Sequence, residues 1–254
     1  MQSILFRRAK STARLYLKSN KLLYPALKRL RDPKANAKLC GPDDHLCVEG
    51  YPSSGNSFAY NFLRILFPNL SLGHHCHSIA NVKIARSNKI PAVVLLRNPY
   101  ECISSRVVRF SKRSNDRPLK NGIDEYIWFY RAVEQMLAND SQDLLQPFPF
   151  QTLVEAPSTL ARIVTSRVYP DSATRTDQEI QFAADLAQKC IKEWSQRQHQ
   201  DEEEDGSLTV SIPSEERTRR KESVKDRFAS FDAMERATEL YEALCEEHAV
   251  PASR

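Results

Sequence analysis

A serine-rich turn near residue 50 is the first feature that could do chemistry. The segment Tyr51-Pro-Ser-Ser-Gly-Asn-Ser-Phe58 lies between an apolar run and an amphipathic stretch. A turn of this kind between a strand and a helix points consecutive backbone N–H groups into one concavity, at the positive end of the helix dipole. The segment therefore predicts a phosphate-binding turn, which we call the cradle. Its residues are Ser53, Ser54, Gly55, Asn56 and Ser57, and we expect the N–H groups of the last four to converge.

An arginine and a serine follow the most apolar run of the chain. Residues 90–96 read as a parallel strand buried on both faces, and Arg97 comes directly after them. A helix begins near Pro99 and carries Ser105. The planar guanidinium of Arg97 suits a phosphate, and the Ser105 hydroxyl can donate to the same group. The alternative for Arg97 is an ion pair with Glu101, worth about 0.3–0.5 kcal/mol.

Three histidines lie between these two segments, in Gly73-His-His-Cys-His77. Histidine titrates near neutral pH and can take a proton from a hydroxyl acceptor. We expect His77 to be that base. If this segment is a strand, alternation places His75 on the same face as His77 and the other two side chains opposite. Since only two of the four ligands could then converge, a zinc site is disfavoured and no metal is predicted.

The cradle differs from the common nucleotide-binding loop. A Walker A loop ends in Gly-Lys-Ser/Thr, whose lysine reaches the terminal phosphates. The corresponding residues here, Gly55-Asn56-Ser57, contain no lysine. An ordinary ATPase or GTPase is therefore disfavoured, and a serine-rich turn that binds nothing remains an alternative.

Strands alternate with helices around these residues. Strands are predicted at 45–50, 70–77, 90–96 and 147–154. Helices are predicted at 56–67, 79–88, 99–108, 123–139, 157–168, 177–197 and 230–247. The alternation predicts an α/β fold of three layers, α/β/α, with a central parallel sheet and ligands beyond the carboxyl ends of its strands. We expect one domain over residues 41–254, with residues 201–206 as an acidic, solvated loop.

The first 38 residues form a basic arm. They contain eleven lysines and arginines and one acid, a net charge of +10, whereas the whole chain sums to +5. Apolar residues recur at helical spacing, so residues 1–40 read as an amphipathic arm. It has three interpretations: packing on the domain, contact with an anionic membrane surface, or organelle targeting. Nucleic acid is not an expected partner, because the arm contains no motif that would read bases or dock in a groove.

Cysteine placement and hydropathy bear on the compartment. The six cysteines form no CxxC pair, and no run approaches the roughly 18 apolar residues of a membrane span. No signal-like segment is present. The expected location is therefore cytoplasmic, and peripheral at the membrane if the arm binds one.

The motifs resemble those of the sulfotransferases that use 3′-phosphoadenosine-5′-phosphosulfate (PAPS). The segment from Tyr51 to Phe58 looks like their YPKSGTTW-type 5′-phosphosulfate loop, and residues 96–105 look like their RNPxDxxxS 3′-phosphate segment. The histidine segment is similar in place to the family's strand-end histidine. The likeness covers about residues 45–170 and is nearest to a bacterial-type branch with GFPRSANTF-like loops and an HHxH segment. It implies a P-loop NTPase-like sulfotransferase core.

The resemblance also implies roles for individual residues. The cradle, Arg97 and Ser105 would bind PAPS or its product PAP (3′,5′-adenosine bisphosphate), and His77 with His75 would serve catalysis. A late basic loop closes over the nucleotide in the family, and Arg217 is the best match. The family's loop lysine is Ser53 here. The cations that could replace it are Arg106, Arg109, Lys83 and Arg86.

Three functions are consistent with the sequence. The first is sulfuryl transfer from PAPS to a hydroxyl or amino group of an acceptor that the sequence does not identify, such as a glycan or lipid. The second is a non-catalytic nucleotide-binding or membrane-associated scaffold that kept the fold. The third is a phosphotransferase with a divergent P-loop.

Overall fold

A computed structural model describes residues 13, 15–31, 38–110, 117–202 and 215–248. The strands are β1 (Leu46–Gly50), β2 (Leu72–His74), β3 (Ala92–Leu96) and β4 (Leu145–Pro149). The helices in the first half are α1 (Leu23–Arg31), α2 (Asn56–Leu66), α3 (Ile79–Ser87), α4 (Pro99–Phe110) and α5 (Arg117–Leu137). Those in the second half are α6 (Phe150–Glu155), α7 (Pro157–Val168), α8 (Asp177–Glu202), α9 (Glu215–Lys225), a 3₁₀ helix (Asp226–Ser230) and α10 (Ala233–His248).

The four described strands form one parallel sheet in the order β2-β1-β3-β4. Val48 pairs with both His74 and Val93, and Val93 also pairs with Gln146, so β1 and β3 occupy the centre. β4 lies at an edge and contains Pro147 and Pro149, which fits the rule that proline is tolerated where one side of a strand needs no ladder bond. The carboxyl ends of β1 and β3 are therefore neighbours, as the candidate site requires.

Helices cover both faces of this sheet. Val94 and Leu96 join one core with residues of α3, α4, α5 and α10, whereas Val93 and Leu95 join the opposite core with residues of α2, α7 and α8. Successive residues of a strand point to opposite faces, so each apolar strand serves both layers. The predicted three-layer α/β/α architecture with a central parallel sheet is confirmed.

Two strand predictions are partly wrong. β2 ends at His74 instead of residue 77, because the chain then enters left-handed backbone conformations at His75 and His77. The strand predicted at 147–154 ends at Pro149, and residues 150–155 form α6. Pro149 is extended and leads directly into that helix, which buries Leu153 against the α2 side of the sheet.

The predicted acidic loop is partly helical. α8 continues through Glu202, which includes the first two residues of the acidic run at 201–206. The remainder of that run lies outside the described residues. Within the described ranges, no helix combines the length and hydropathy needed to cross a bilayer.

The described part of the basic arm packs on the domain. Tyr24 donates its hydroxyl to the carbonyl oxygen of Cys76 (2.9 Å), and Lys28 donates to the Cys76 sulfur (3.1 Å). Ser78 donates its hydroxyl to the carbonyl oxygen of Lys18 (2.5 Å). Residues 15–31 thus cover the histidine segment. Of the three interpretations of the arm, packing on the domain is observed for these residues. Membrane contact and targeting stay predictions.

Candidate functional site

The cradle is a tight turn that ends in a left-handed glycine. Ser53 has φ 71° and Gly55, the residue before α2, has φ 96°. A Cβ atom on Gly55 would lie 2.7 Å from Phe150 Cδ2, so both its backbone conformation and its surroundings require glycine. The turn directs the start of α2 towards the space beyond β1. This geometry is suited to an anion at the helix N-terminus.

The backbone donors of the cradle differ in one position from the prediction. Ser54 N–H donates to the carbonyl oxygen of Tyr51 (3.1 Å), so it is used within the turn. Its hydroxyl lies 3.3 Å from the Tyr130 hydroxyl, which buries Ser54. None of the described hydrogen bonds uses the N–H groups of Gly55, Asn56 or Ser57. The convergent donors are therefore those three, and the inclusion of Ser54 N–H was wrong.

Asn56 adds a side-chain group to the cradle. Its Nδ2 donates to the Tyr51 carbonyl oxygen (3.3 Å), whereas its buried Oδ1 has no hydrogen-bond partner among the described residues. A buried polar atom without a partner is costly unless a water or ligand satisfies it. The cradle thus has three unused backbone donors and one unused side-chain acceptor.

Arg97 lies against the cradle, as its place at the end of β3 suggests. Its Nη1 donates to the carbonyl oxygen of Ser53 (2.7 Å), and its guanidinium carbon is 4.2 Å from the centre of the Phe150 ring. The ion pair between Arg97 Nη2 and Glu101 Oε2 is long, at 3.8 Å. Ser105 is buried on α4, two turns beyond Arg97. The structure therefore brings the predicted arginine and the cradle together.

Two lysines from α9 join this group. Lys221 Nζ and Lys225 Nζ lie 2.7 Å and 2.5 Å from the carboxylate of Glu101. These ammonium groups outweigh the effect of burial and lower the pKa of Glu101 to about 2. Glu101 thus anchors α9 next to the end of β3. Arg217 belongs to α9, but its side chain lies outside the described part of the chain.

Sequence reasoning missed Lys221 and Lys225 as site residues. Their spacing could have indicated that the two lysines act together, because residues four apart share one helical face. Nothing in the sequence indicates which acid that face contacts, since Glu101 is more than a hundred residues away.

The histidine segment is a strained loop instead of a strand. His75 has φ 57° and His77 has φ 46°, and non-glycine residues rarely adopt these values. The alternation argument for the two side chains was therefore wrong, although their rings lie 6.1 Å apart. His75 Nε2 is 3.3 Å from the Ser57 hydroxyl of the cradle, and its Nδ1 is 2.8 Å from His74 Nδ1. His75 thus contacts the cradle directly.

His77 is oriented by the end of β1. Its Nδ1 lies 2.9 Å from the carbonyl oxygen of Gly50, which can only accept, so Nδ1 carries the proton. Nε2 is then the unprotonated nitrogen, and none of the described hydrogen bonds uses it. Burial lowers the pKa of His77 to about 4, although the bond to Gly50 opposes that shift. The imidazole is therefore neutral at pH 7, with its lone pair on Nε2.

A buried glutamate holds this segment in place, and sequence reasoning missed it. Glu49 is fully buried in β1, where its Oε2 accepts the N–H of His77 (2.8 Å). Its Oε1 accepts the N–H of Cys76 and the Nδ2 hydrogen of Asn81, both at 2.8 Å. Burial raises the pKa of Glu49 to about 7, against these hydrogen bonds. The sequence feature that could have indicated this role is an acidic residue within an apolar strand, because a buried carboxylate requires hydrogen-bond partners.

Arg106 is a second cation near the cradle, because it contacts Tyr51, two residues before Ser53. Its Nη1 donates to the Tyr51 hydroxyl (2.6 Å), and its Nη2 pairs with Glu125 at 2.5 Å. Burial alone would lower the pKa of Arg106, but Tyr51 and Glu125 raise it. Arg106, one of the four predicted substitutes for the loop lysine, thus contacts a residue near the cradle, whereas Lys83 and Arg86 line a separate pocket. Arg109 follows one turn later on α4.

A narrow cleft opens beside His77. Its lining residues are Leu15, Lys18, Tyr51, Pro52, His77, Glu125, Trp128 and Phe129. The space inside is about 10 Å³, enough for about one water molecule. Lys18 belongs to the basic arm and lies 3.8 Å from Glu125 across the cleft. The arm therefore supplies one wall of the space in front of His77.

No group of three or more His, Cys, Asp or Glu residues with metal-site geometry occurs within the described ranges. The described cysteines are free thiols, of which Cys40, Cys47, Cys76 and Cys102 are buried.

Comparisons with known proteins find similarity at the level of structure. No protein-family model matches the chain, and no curated protein matches it. Among solved structures, mouse sulfotransferase SULT7A1 complexed with PAP is similar at 11% sequence identity and a TM-score of 0.43. The match covers 81% of this chain and 91% of that one. The identity and the TM-score are too low for residue roles to be transferred.

Proposed function

We propose that this chain is a PAPS-dependent sulfotransferase that moves a sulfuryl group to a hydroxyl or amino group. The observation that carries the proposal is the contact between Arg97 and Ser53. It places a permanent positive charge beside the three unused backbone donors of the cradle. Backbone donors at the end of β1 and a cation at the end of β3 suit a nucleotide that bears two separated phosphates.

In this proposal the cradle binds the 5′-phosphosulfate. The N–H groups of Gly55, Asn56 and Ser57 donate to its phosphate oxygens, and the α2 dipole adds to the attraction. Arg97 binds the 3′-phosphate together with Ser105. Lys221 and Lys225 add positive charge to the same position, since both already contact Glu101 beside Arg97. Arg217 remains a predicted contact of the same helix.

The chemistry needs a base, an aligned sulfur and a stabilised leaving group. His77 Nε2 takes the proton of the acceptor hydroxyl as its oxygen bonds to sulfur. The bond from sulfur to the 5′-phosphate oxygen breaks, and its electron pair leaves with PAP. His75 contacts Ser57 and is placed to keep that serine oriented towards the leaving phosphate. No step uses a metal.

Charge at the leaving group must come from a residue other than Ser53. We assign this role to Arg106, which is held between Tyr51 and Glu125 next to the cradle. Loss of a fixed charge of this kind typically costs about 10²–10³ in rate. The pairing with Glu125 reduces the net charge at this position, so we expect slow turnover compared with an enzyme that has a loop lysine.

The decisive experiment is transfer of radiolabelled sulfate from PAPS to a cell extract. Wild-type protein should label an acceptor, and His77→Ala should abolish labelling while calorimetry shows unchanged PAP binding. His45→Ala is the matched control. His45 is an exposed histidine before β1, so its substitution should leave labelling intact. Full activity of His77→Ala would show that the base is a different residue.

A non-catalytic nucleotide-binding scaffold is the second candidate. The observation that favours it is the pairing of Arg106 with Glu125, which neutralises the cation that we assign to the leaving group. PAP binding without labelling of any acceptor would support the scaffold. Preference for ATP with magnesium would instead support the divergent phosphotransferase. A cytoplasmic location and contact of residues 1–38 with an anionic membrane also remain proposals.

A further inference from the structure

A second pocket lies away from the cradle. It is lined by Lys21, Lys83, Arg86, Ser87, Met136, Asp140, Ser141, Gln142 and Leu144, and its volume is about 470 Å³. Its walls are the last turns of α3, the residues before β4 and the turn before α1. These lie at the amino-terminal edge of the parallel sheet, whereas the cradle follows the carboxyl end of β1. This basic pocket is therefore separate from the candidate active site.

Two lysines of the basic pocket are not neutralised. Lys21 Nζ donates to the Ser87 hydroxyl (2.7 Å), and Lys83 Nζ donates to the carbonyl oxygen of Ser19 (3.2 Å). Within the described ranges, no carboxylate lies within ion-pair distance of either ammonium group. Burial and the nearby Lys21 both lower the pKa of Lys83, so the two charges are close enough to repel. An anion between them would relieve that repulsion.

The one acid of the basic pocket is already engaged. Asp140 Oδ1 pairs with Arg86 Nη2 at 3.2 Å, and Asp140 Oδ2 accepts the N–H of Leu145 at 2.7 Å. This carboxylate fixes the start of β4 and balances only the arginine. The pocket thus keeps an excess of two positive charges.

Exposed apolar side chains adjoin the basic pocket. Leu22 follows Lys21 directly and is 78% exposed, and Leu23 is 46% exposed. Asn20 Oδ1 accepts the N–H groups of both leucines, which fixes them at the start of α1. Tyr16, on the helical turn before them, is 61% exposed. Large apolar groups beside a cationic pocket are typical of surfaces that lie on anionic membranes.

We propose that the basic pocket binds the phosphate of an anionic phospholipid headgroup while Leu22 and Leu23 enter the membrane interface. The pocket volume falls in the range of sites for small organic ligands, so it can hold a headgroup as well as its phosphate. The net charge of +10 on residues 1–38 adds longer-range attraction to the same surface. This site is independent of sulfuryl transfer.

Vesicle sedimentation with the full chain tests this site. Vesicles of phosphatidylcholine with phosphatidic acid, and of phosphatidylcholine alone, are compared for three proteins: wild type, Lys21→Ala/Lys83→Ala and Lys120→Ala/Lys189→Ala. The last is the matched control, since it removes the same charge from lysines with side chains 54% and 70% exposed on α5 and α8. We expect the pocket variant to bind acidic vesicles about 10- to 30-fold more weakly, and the control to change less than about threefold.

Two further measurements distinguish binding to a lipid surface from binding to a free phosphate. Leu22→Ser/Leu23→Ser should weaken vesicle binding and leave binding of soluble glycerol 3-phosphate unchanged. Equal pelleting of the pocket variant and its charge control would overturn the proposal, as would equal pelleting of wild type with both vesicle types. Binding of glycerol 3-phosphate without pelleting on acidic vesicles would overturn the lipid assignment. Thermal unfolding should show that the pocket variant is at least as stable as wild type, because it loses a repulsion.

Discussion

Glu49 Oε2 accepts the backbone N–H of His77 at 2.8 Å, and this bond joins the centre of the sheet to the candidate base. His77 also donates Nδ1–H to the carbonyl oxygen of Gly50, the next residue of β1. One strand end thus fixes both the backbone and the ring of the histidine. The left-handed conformation of His77 is sustained by these contacts and by the arm that packs over Cys76.

Substitution of Glu49 should change how stability depends on pH. Burial raises the pKa of Glu49 from about 4.5 to about 7, so the folded state holds its proton more tightly than the unfolded chain. The contribution of this bound proton to the free energy of unfolding is fully present below pH 4.5 and is lost as pH rises through 7. Glu49→Gln cannot titrate, so the advantage of wild type over this variant should shrink by on the order of 3 kcal/mol between pH 4.5 and pH 8.

Urea unfolding at several pH values measures that difference. Glu155→Gln, on α6, is the control, because it makes the same replacement at an exposed side chain. A constant difference for Glu49→Gln would mean that the carboxylate is already charged in the folded protein throughout this range.

Gly55→Ala should destabilise the protein by about 2–4 kcal/mol and abolish PAP binding. The cost arises from the positive φ and from the approach of the new Cβ to Phe150. Gly41→Ala is the matched control: its Cβ would meet only Asp44 Oδ2, at 3.8 Å, and should change stability by less than about 0.5 kcal/mol. Chemical denaturation and calorimetry together check the pair. Equal effects of the two substitutions on stability and PAP binding would show that the left-handed turn at Gly55 has no special role.

Arg106→Met should cost about 3 kcal/mol of stability, because it removes the guanidinium that lies 2.5 Å from the buried carboxylate of Glu125, whereas Lys18 lies 3.8 Å away. Arg131→Met is the control, since Arg131 and Glu134 form a 3.6 Å pair with side chains 57% and 42% exposed. That change should cost less than about 1 kcal/mol. Arg106→Met/Glu125→Met should recover part of the loss in a double-mutant cycle. An additive double variant would contradict this account of the pair.

Lys221→Ala and Lys225→Ala should each weaken PAP binding about tenfold and leave 5′-AMP binding within about twofold. The reason is that only PAP has the 3′-phosphate, which both lysines are proposed to contact beside Arg97. Arg219→Ala, on an exposed face of the same helix, should change neither affinity. Equal weakening of PAP and 5′-AMP would place these lysines away from the 3′-phosphate.

Local patterns in the sequence were sufficient to predict the layers of the fold and the turn between β1 and α2, while phosphate binding by that turn stays a prediction. The apolar run at 90–96 marks β3, and the residue after it had to lie near the end of β1 in a parallel sheet, which explains why Arg97 was found. The histidine loop was not predictable, because its left-handed backbone depends on Glu49 and on the docked arm instead of on local propensity. Lys221 and Lys225 were missed for a related reason, since their position depends on Glu101 across the tertiary structure.

The proposed function requires that the cradle and Arg97 bind a nucleotide with a 3′-phosphate. Titration calorimetry of the full chain with PAP, 5′-AMP and ATP with magnesium measures this binding. We expect PAP to bind at least about tenfold more tightly than 5′-AMP, and Arg97→Met to remove most of this preference. Equal affinity for PAP and 5′-AMP, or tighter binding of ATP with magnesium, would contradict it.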